Sequence, residues 1–172
     1  MLKSIFTSIL LTFLFSTVVC ANDDDSTKSN SLPQITVKDI DGKSVNFAQS
    51  ITPGQITIVS FWATWCKPCL QELVNIDNLY EDWQKKYNVK LIAVSIDDSR
   101  TAPKVKPLVT SKNWTYEILI DINSDLKRAM NVTNPPTLFL IDKNGKIVFT
   151  HTGYIEGDEN ELEKKIAELT SH

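Results

Sequence analysis

Two cysteines with two residues between them are the side chains whose spacing best supports chemistry in this sequence. Cys66 and Cys69 follow an apolar, β-branched run at 56–62 and open a stretch with helical spacing. A helix start has free backbone N–H groups and the positive end of the helix dipole, so a thiol at Cys66 should ionise easily. Cys69 would lie one turn further on the same side, within reach of a disulfide. This spacing predicts disulfide exchange, in which Cys66 attacks and Cys69 resolves the mixed disulfide.

The same pair has two other interpretations, a structural metal clip and an inert bridge. A structural zinc site requires four ligands, and the chain has one further cysteine and two histidines, none at ligand spacing. An inert bridge seldom follows a strand with two tryptophans beside it, as Trp62 and Trp65 stand here. Pro68 falls in the first helical turn, where a missing N–H costs little. We therefore expect a redox-active disulfide and no bound metal.

A buried strand and a long helix are the elements that must hold this pair. The run at 56–62 fits a buried strand. After the cysteines, apolar residues recur at helical spacing, namely Leu70, Leu73, Ile76, Leu79, Tyr80 and Trp83. A second apolar strand follows at 90–96. A strand, a helix and a strand at this spacing predict a right-handed parallel crossover.

The rest of the chain predicts two hairpins, one more strand and three helices. The hairpins lie at 35–47, turning at Asp41–Gly42, and at 137–150, turning at Asn144–Gly145. The strand lies at 116–120, and the helices lie at 101–112, 124–131 and 158–169. Ser124 is the expected cap of the second of these helices, and Pro103 and Pro107 are expected to break the first.

The active-site stretch carries a family resemblance. The residues from Phe61 to Cys69 read Phe-Trp-Ala-Thr-Trp-Cys-Lys-Pro-Cys, which resembles the thioredoxin active-site motif. With its leader and layout, the chain looks most like the TlpA/ResA-like thiol-disulfide oxidoreductases from about Leu32 onward. This resemblance implies an α/β thioredoxin fold, a mixed central β-sheet flanked by helices. It also implies an N-terminal β-hairpin, an extra central helix and strand within 101–120, and no cofactor.

The resemblance also assigns roles around the cysteines. It implies that Pro136 is a cis-proline facing the pair, and X-Pro bonds are the ones that become cis at low cost. The preceding residue in the family offers both its N–H and its C=O to an extended substrate, but Pro135 has no N–H. We expect Trp65 to border the site as a partly exposed ring, and Trp62 to lie in the core. Substrate contact is assigned to Trp65, Lys67, Pro68 and Pro135.

Glu72, three residues after Cys69, has two interpretations. The ResA-like branch has a glutamate in this place, and a partly buried carboxylate there would take the proton of Cys69. Alternatively, Glu72 is a first-turn acid that complements the helix dipole. Cytoplasmic thioredoxins resemble one another in having a buried acidic residue at the position of Ser60. This chain has a serine there, so the proton acceptor of those thioredoxins is missing.

The N-terminal part predicts export. Residues 1–21 have a lysine and then an apolar run that is short for a membrane span, and Val19-Cys20-Ala21 fits a cleavage site. Cys20 is either removed with this leader or lipidated, and an uncleaved anchor is the third possibility. Residues 22–31 are polar with three consecutive aspartates, which predicts a disordered linker. The thioredoxin-like domain is then 32–172, long enough for one sizeable core.

The expected function is dithiol–disulfide exchange on exported proteins outside the cytoplasm. The resemblance implies a monomeric reductant that a membrane thiol-disulfide carrier keeps reduced, with the haem-site disulfide of apocytochrome c as the hypothetical client. The chain has a net charge of −3 and no basic surface that would favour nucleic acid. Two alternatives remain, a copper-delivery protein on the same fold and a thiol peroxidase. For copper delivery a histidine partner is lacking, because His151 is expected to face solvent.

Overall fold

The computed structural model describes residues 32–171. The leader at 1–21, the linker at 22–31 and the two alternatives for Cys20 lie outside these residues. Within them, no helix has the length and apolar character needed to cross a membrane.

One mixed β-sheet of seven strands organises the described residues. The strands are β1 Thr36–Asp39, β2 Ser44–Asn46, β3 Ile56–Trp62, β4 Val89–Ser95, β5 Glu117–Ile120, β6 Thr137–Ile141 and β7 Ile147–Thr152. Their order across the sheet is β2-β1-β5-β4-β3-β6-β7. The β3–β4 and β4–β5 pairs are parallel, and the other pairs are antiparallel. The predicted hairpins and the predicted parallel pairing of β3 with β4 are therefore confirmed.

Five α-helices accompany the sheet in the part of the chain that the structure describes. They are α1 Phe47–Ser50, α2 Lys67–Tyr87, α3 Val105–Lys112, α4 Asp125–Ala129 and α5 Asp158–Thr170. The unit formed by α3 and β5 is the extra helix and strand that the resemblance implied. Helices α2 and α5 pack against each other. The thioredoxin fold predicted from the motif is thus the fold observed.

The central position of β3 restricts the backbone that leads to the two cysteines. All seven of its residues are buried, and it pairs with β4 on one side and β6 on the other. Trp62 at its end and Trp83 on α2 are among the largest fully buried side chains. The pair therefore follows directly from the carboxyl end of a central strand, where the backbone has little freedom.

Two local predictions in this region need correction. Phe47 is not a strand residue but begins α1, because the Asn46 side chain accepts the Ala48 N–H at 3.0 Å. Ser124 precedes α4, but its backbone is left-handed and its hydroxyl makes no capping bond. The carboxylate of Asp121 caps α4 instead, because it accepts the N–H groups of Leu126 at 3.2 Å and Lys127 at 2.8 Å.

The prolines of the 101–112 segment act differently from each other. Pro103 lies in a 3₁₀ turn, Ala102–Lys104, that precedes α3. Pro107 is the third residue of α3 and does not break it. A proline in the first turn is tolerated because its missing N–H would have no helical partner there. Of the two predicted breaks in this helical segment, the one at Pro103 is therefore observed and the one at Pro107 is not.

Candidate active site

The structure joins Cys66 and Cys69 as a disulfide at the start of α2. Cys66 is the residue that precedes the helix, Cys69 lies in its first turn, and their Cα atoms are 5.3 Å apart. Cys66 is 6% exposed, whereas Cys69 is fully buried. An external sulfur can therefore reach Cys66 but not Cys69, which is the asymmetry that an attacking and a resolving cysteine require.

Exposed side chains form the rim around Cys66. Trp65 is 61% exposed, and Lys67 and Pro68 are also exposed. Trp62 is fully buried, so the predicted division of the two tryptophans between rim and core is confirmed. An exposed indole beside a reactive sulfur offers a large apolar surface to a client.

The Pro135–Pro136 peptide bond is cis, as the resemblance implied. Pro136 is buried and Pro135 is half-buried. The Pro136 carbonyl oxygen accepts the N–H of Gly153 at 2.9 Å, which ties this loop to the end of β7. The loop is therefore anchored to the end of β7, while the contact of these prolines with a substrate stays a prediction.

Glu72 is a buried carboxyl group on α2. It is 3% exposed, and its Oε2 atom accepts a hydrogen bond from the Ser60 hydroxyl at 2.6 Å. Burial raises the pKa of Glu72 to about 7; the Ser60 hydrogen bond works against this shift, and the Asp158 charge adds to it. At neutral pH this group can therefore both accept and release a proton.

This environment excludes one of the two interpretations of Glu72, while its role as a proton acceptor stays a prediction. The first turn of α2 contains no acidic residue, and Glu72 is the sixth residue of the helix. The interpretation as a first-turn acid that complements the dipole is therefore wrong, because the carboxyl group lies beyond that turn and away from water. The Ser60 hydroxyl on β3 donates a hydrogen bond to Glu72 on α2. Helix α2 therefore supplies a buried acid beside a position at which β3 itself has a serine.

Asp97 is a site residue that the sequence reasoning missed. It is fully buried after β4, and its carboxylate accepts the Thr64 N–H at 2.8 Å and the Thr64 hydroxyl at 2.6 Å. The Ser95 hydroxyl is a further donor at 2.8 Å. Because Thr64 lies two residues before Cys66, Asp97 fixes the turn that presents the reactive sulfur. An acidic residue directly after a buried apolar strand is the sequence signal that could have identified it.

The prediction for His151 requires correction. Its side chain is only 36% exposed, and its Nε2 atom lies 3.1 Å from Oδ2 of Asp158 on α5. The ring stacks on Phe149 at 6.2 Å between centroids. His151 does not simply face solvent, because α5 covers that side of β7. Together with Glu72, Tyr154 and Asp158, it lines a small, partly open cavity.

No cluster of three or more His, Cys, Asp or Glu side chains suited to a metal ion occurs between residues 32 and 171. The groups at the start of α2 that could carry out chemistry are the two sulfur atoms of the disulfide. A less buried sulfur at a helix start, joined in a disulfide to a fully buried sulfur in the first turn, is an arrangement suited to thiol–disulfide exchange.

Comparison with known protein sequences also indicates thiol–disulfide exchange. Residues 29–150 match the model of the AhpC/TSA family. The chain is 31% identical over 138 residues to the thiol-disulfide oxidoreductase ResA of Bacillus thuringiensis, which covers 80% of this chain and 76% of that protein.

Solved structures similar to this chain are also thioredoxin-like proteins. An uncharacterized thioredoxin-like protein from Porphyromonas gingivalis is 51% identical with a TM-score of 0.74, covering 83% of this chain and 93% of the other. A putative DsbE thiol:disulfide interchange protein from Chlorobium tepidum has 25% identity and a TM-score of 0.70, covering 81% and 95%. The chain thus belongs to the AhpC/TSA family and, within its thioredoxin-fold members, to the ResA-like thiol-disulfide oxidoreductases.

Proposed function

We propose that this thiol-disulfide oxidoreductase reduces the disulfides of exported proteins, with Cys66 as nucleophile and Cys69 as resolving cysteine. The observation that carries the proposal is the asymmetry of the pair, in which only Cys66 is open to an external sulfur. The positive end of α2 stabilises a Cys66 thiolate, and the neighbouring Lys67 adds to this effect.

The proposed reaction has two exchange steps. The Cys66 thiolate attacks a client disulfide, forms a mixed disulfide and releases one client thiolate. Glu72 then takes the proton of the Cys69 thiol, and the Cys69 thiolate attacks the Cys66 sulfur and releases the second client thiolate. Two electrons pass to the client, both client thiolates take up protons, and the enzyme is left with the Cys66–Cys69 disulfide.

Export and regeneration complete the proposal. The composition of residues 1–21 supports secretion, and an oxidised enzyme outside the cytoplasm needs a source of electrons. A membrane thiol-disulfide carrier is the class of partner that fits. A lipidated Cys20 would hold the enzyme beside such a carrier, whereas cleavage after Ala21 would release it.

The proposed client is the haem-site disulfide of apocytochrome c. A strain that lacks this protein should accumulate apocytochrome c, and the wild-type gene should restore holocytochrome c, as measured by haem staining. Addition of a small dithiol to the medium should also restore it, because the missing activity is a reduction. Normal holocytochrome c in the deletion strain would remove this client but would leave the activity on protein disulfides in place.

Pro135 should weaken the binding of extended substrates, because it cannot donate a backbone hydrogen bond. We expect Pro135→Ala to lower the KM for a peptide disulfide by about fivefold, the equivalent of one hydrogen bond of ~1 kcal/mol. Pro53→Ala, which changes an exposed turn before β3, is the matched control and should leave KM unchanged. An unchanged or raised KM in Pro135→Ala would show that this residue does not limit docking.

A further inference from the structure

The cavity beside Glu72 brings charged groups from several elements to one place. It is bounded by α2, β6, β7, the loop that follows β7, and α5. Its titratable side chains are Glu72, His151, Tyr154, Asp158, Glu159 and Glu161. Of the described residues that line it, His151 alone can carry a positive charge. The environment of Glu72 is therefore acidic apart from one imidazole.

His151 and Asp158 form a fixed pair in this cavity. Besides its 3.1 Å contact with His151, Asp158 Oδ2 accepts the backbone N–H of Ile155 at 2.8 Å. The imidazole is held on its other side by Phe149. Neither side chain can turn away without the loss of these contacts, so their charges act on the cavity from fixed positions.

From these positions the two members of the pair should act on Glu72 in opposite directions. The Asp158 charge makes ionisation of Glu72 less favourable. A positively charged His151 would offset part of the Asp158 charge and would also attract an anion in the same cavity. The Ser60 hydroxyl, which donates to Glu72, is fully buried on β3 and carries no charge. Tyr116, whose titration the Glu72 charge influences, also stays uncharged, because burial raises the pKa of its hydroxyl.

We infer that the His151–Asp158 pair sets the pH at which Glu72 can accept the Cys69 proton. This inference rests on the proposed role of Glu72 and makes His151 and Asp158 positioning residues for the resolving step. The pair does not touch the sulfur atoms. It changes only the fraction of enzyme molecules in which Glu72 is ionised when the mixed disulfide forms.

The test measures the rate of the resolving step from about pH 5 to pH 9. Reduced full-length enzyme is mixed with excess glutathione disulfide, and its tryptophan fluorescence is followed by stopped flow. His151→Gln should move the midpoint of the profile upward, and Asp158→Asn should move it downward, each by about half a pH unit. Asp82→Asn, an equal charge change at an exposed position of α2, and His172→Ala, which removes the other imidazole, are the matched controls.

Shifts of opposite sign support the inference, because loss of packing in the two variants would not move the profile in opposite directions. Unmoved midpoints, or midpoints that move in the same direction, overturn it. If Asp158→Asn does not fold, as judged by circular dichroism, the upward shift in His151→Gln decides alone. A profile that persists in Glu72→Gln would instead remove the proposed role of Glu72, so the two failures are distinguishable.

Discussion

Replacement of Cys66 by serine should abolish disulfide reduction. The alkoxide of serine is not accessible near neutral pH, so the variant has no nucleophile to start the exchange. We expect insulin reduction to fall by about 10³-fold or more, because the remaining groups cannot act without the attacking atom. The turbidity assay for insulin measures this loss directly. Cys20→Ser, which changes the only other cysteine of the chain, is the matched control and should keep the wild-type rate.

Cys69→Ser should stop the same reaction one step later. Cys66 can still attack in this variant, but nothing releases the client, so a covalent adduct should accumulate at Cys66. Mass spectrometry under non-reducing conditions should find the adduct on the peptide that contains residue 66. The fully buried position of Cys69 predicts that no adduct forms there in Cys66→Ser. An adduct on Cys69 in that variant would reverse the two proposed roles.

The second large effect is expected for Glu72→Gln. In the wild-type enzyme, the resolving rate should fall as the pH falls through about 7, because protonated Glu72 cannot accept the Cys69 proton. Glutamine keeps the size of the side chain but cannot accept a proton at any pH in this range. At pH values above about 7, we expect the variant to resolve the mixed disulfide about 10²-fold more slowly than the wild-type enzyme. Its resolving rate should show no pH-dependent change near neutrality. Stopped-flow measurement on the preformed mixed disulfide isolates this rate.

Stability gives an independent check on the same carboxyl group. The folded pKa of Glu72, about 7, lies above the ordinary glutamate pKa of 4.5, so the folded state binds the proton more tightly. The resulting stability is complete below about pH 4.5 and is lost as the pH rises through 7. Relative to wild type, Glu72→Gln should therefore gain up to ~3 kcal/mol in free energy of unfolding between pH 5 and pH 8.

Urea unfolding at these two pH values measures this difference. Glu81→Gln, at an exposed position of the same helix, is the matched control and should show little change with pH. An equal difference in both variants would mean that Glu72 is ionised freely in the folded protein, and its role as a proton acceptor with a tuned pKa would then be lost.

The sequence was sufficient for the parts of the fold that local patterns determine. The β-branched run before Cys66, the helical spacing after Cys69 and the Asn144–Gly145 turn each correspond to an observed element. Ser124 shows where local rules fail. A serine before a helix is normally a cap, but here its backbone is left-handed and the buried Asp121 is already in place as the acceptor.

The groups around the cysteines were harder to predict, because their partners are distant in the chain. Ser60 and Glu72 meet only when α2 packs on β3, and the bond between Asp97 and Thr64 spans two neighbouring parallel strands. The pairing of His151 with Asp158 depends on how α5 returns to β7. Each contact is a consequence of the sheet order, which no single stretch of sequence specifies.

The reduction potential of the Cys66–Cys69 couple tests the central claim most directly. It is measured by equilibrating the full-length enzyme with glutathione redox buffers or dithiothreitol and quantifying the free thiols. A reductant of exported proteins should have a potential near that of thioredoxin, about −270 mV. A potential near that of DsbA, about −120 mV, would contradict the account, because such a couple would transfer disulfides to exported proteins instead of reducing them.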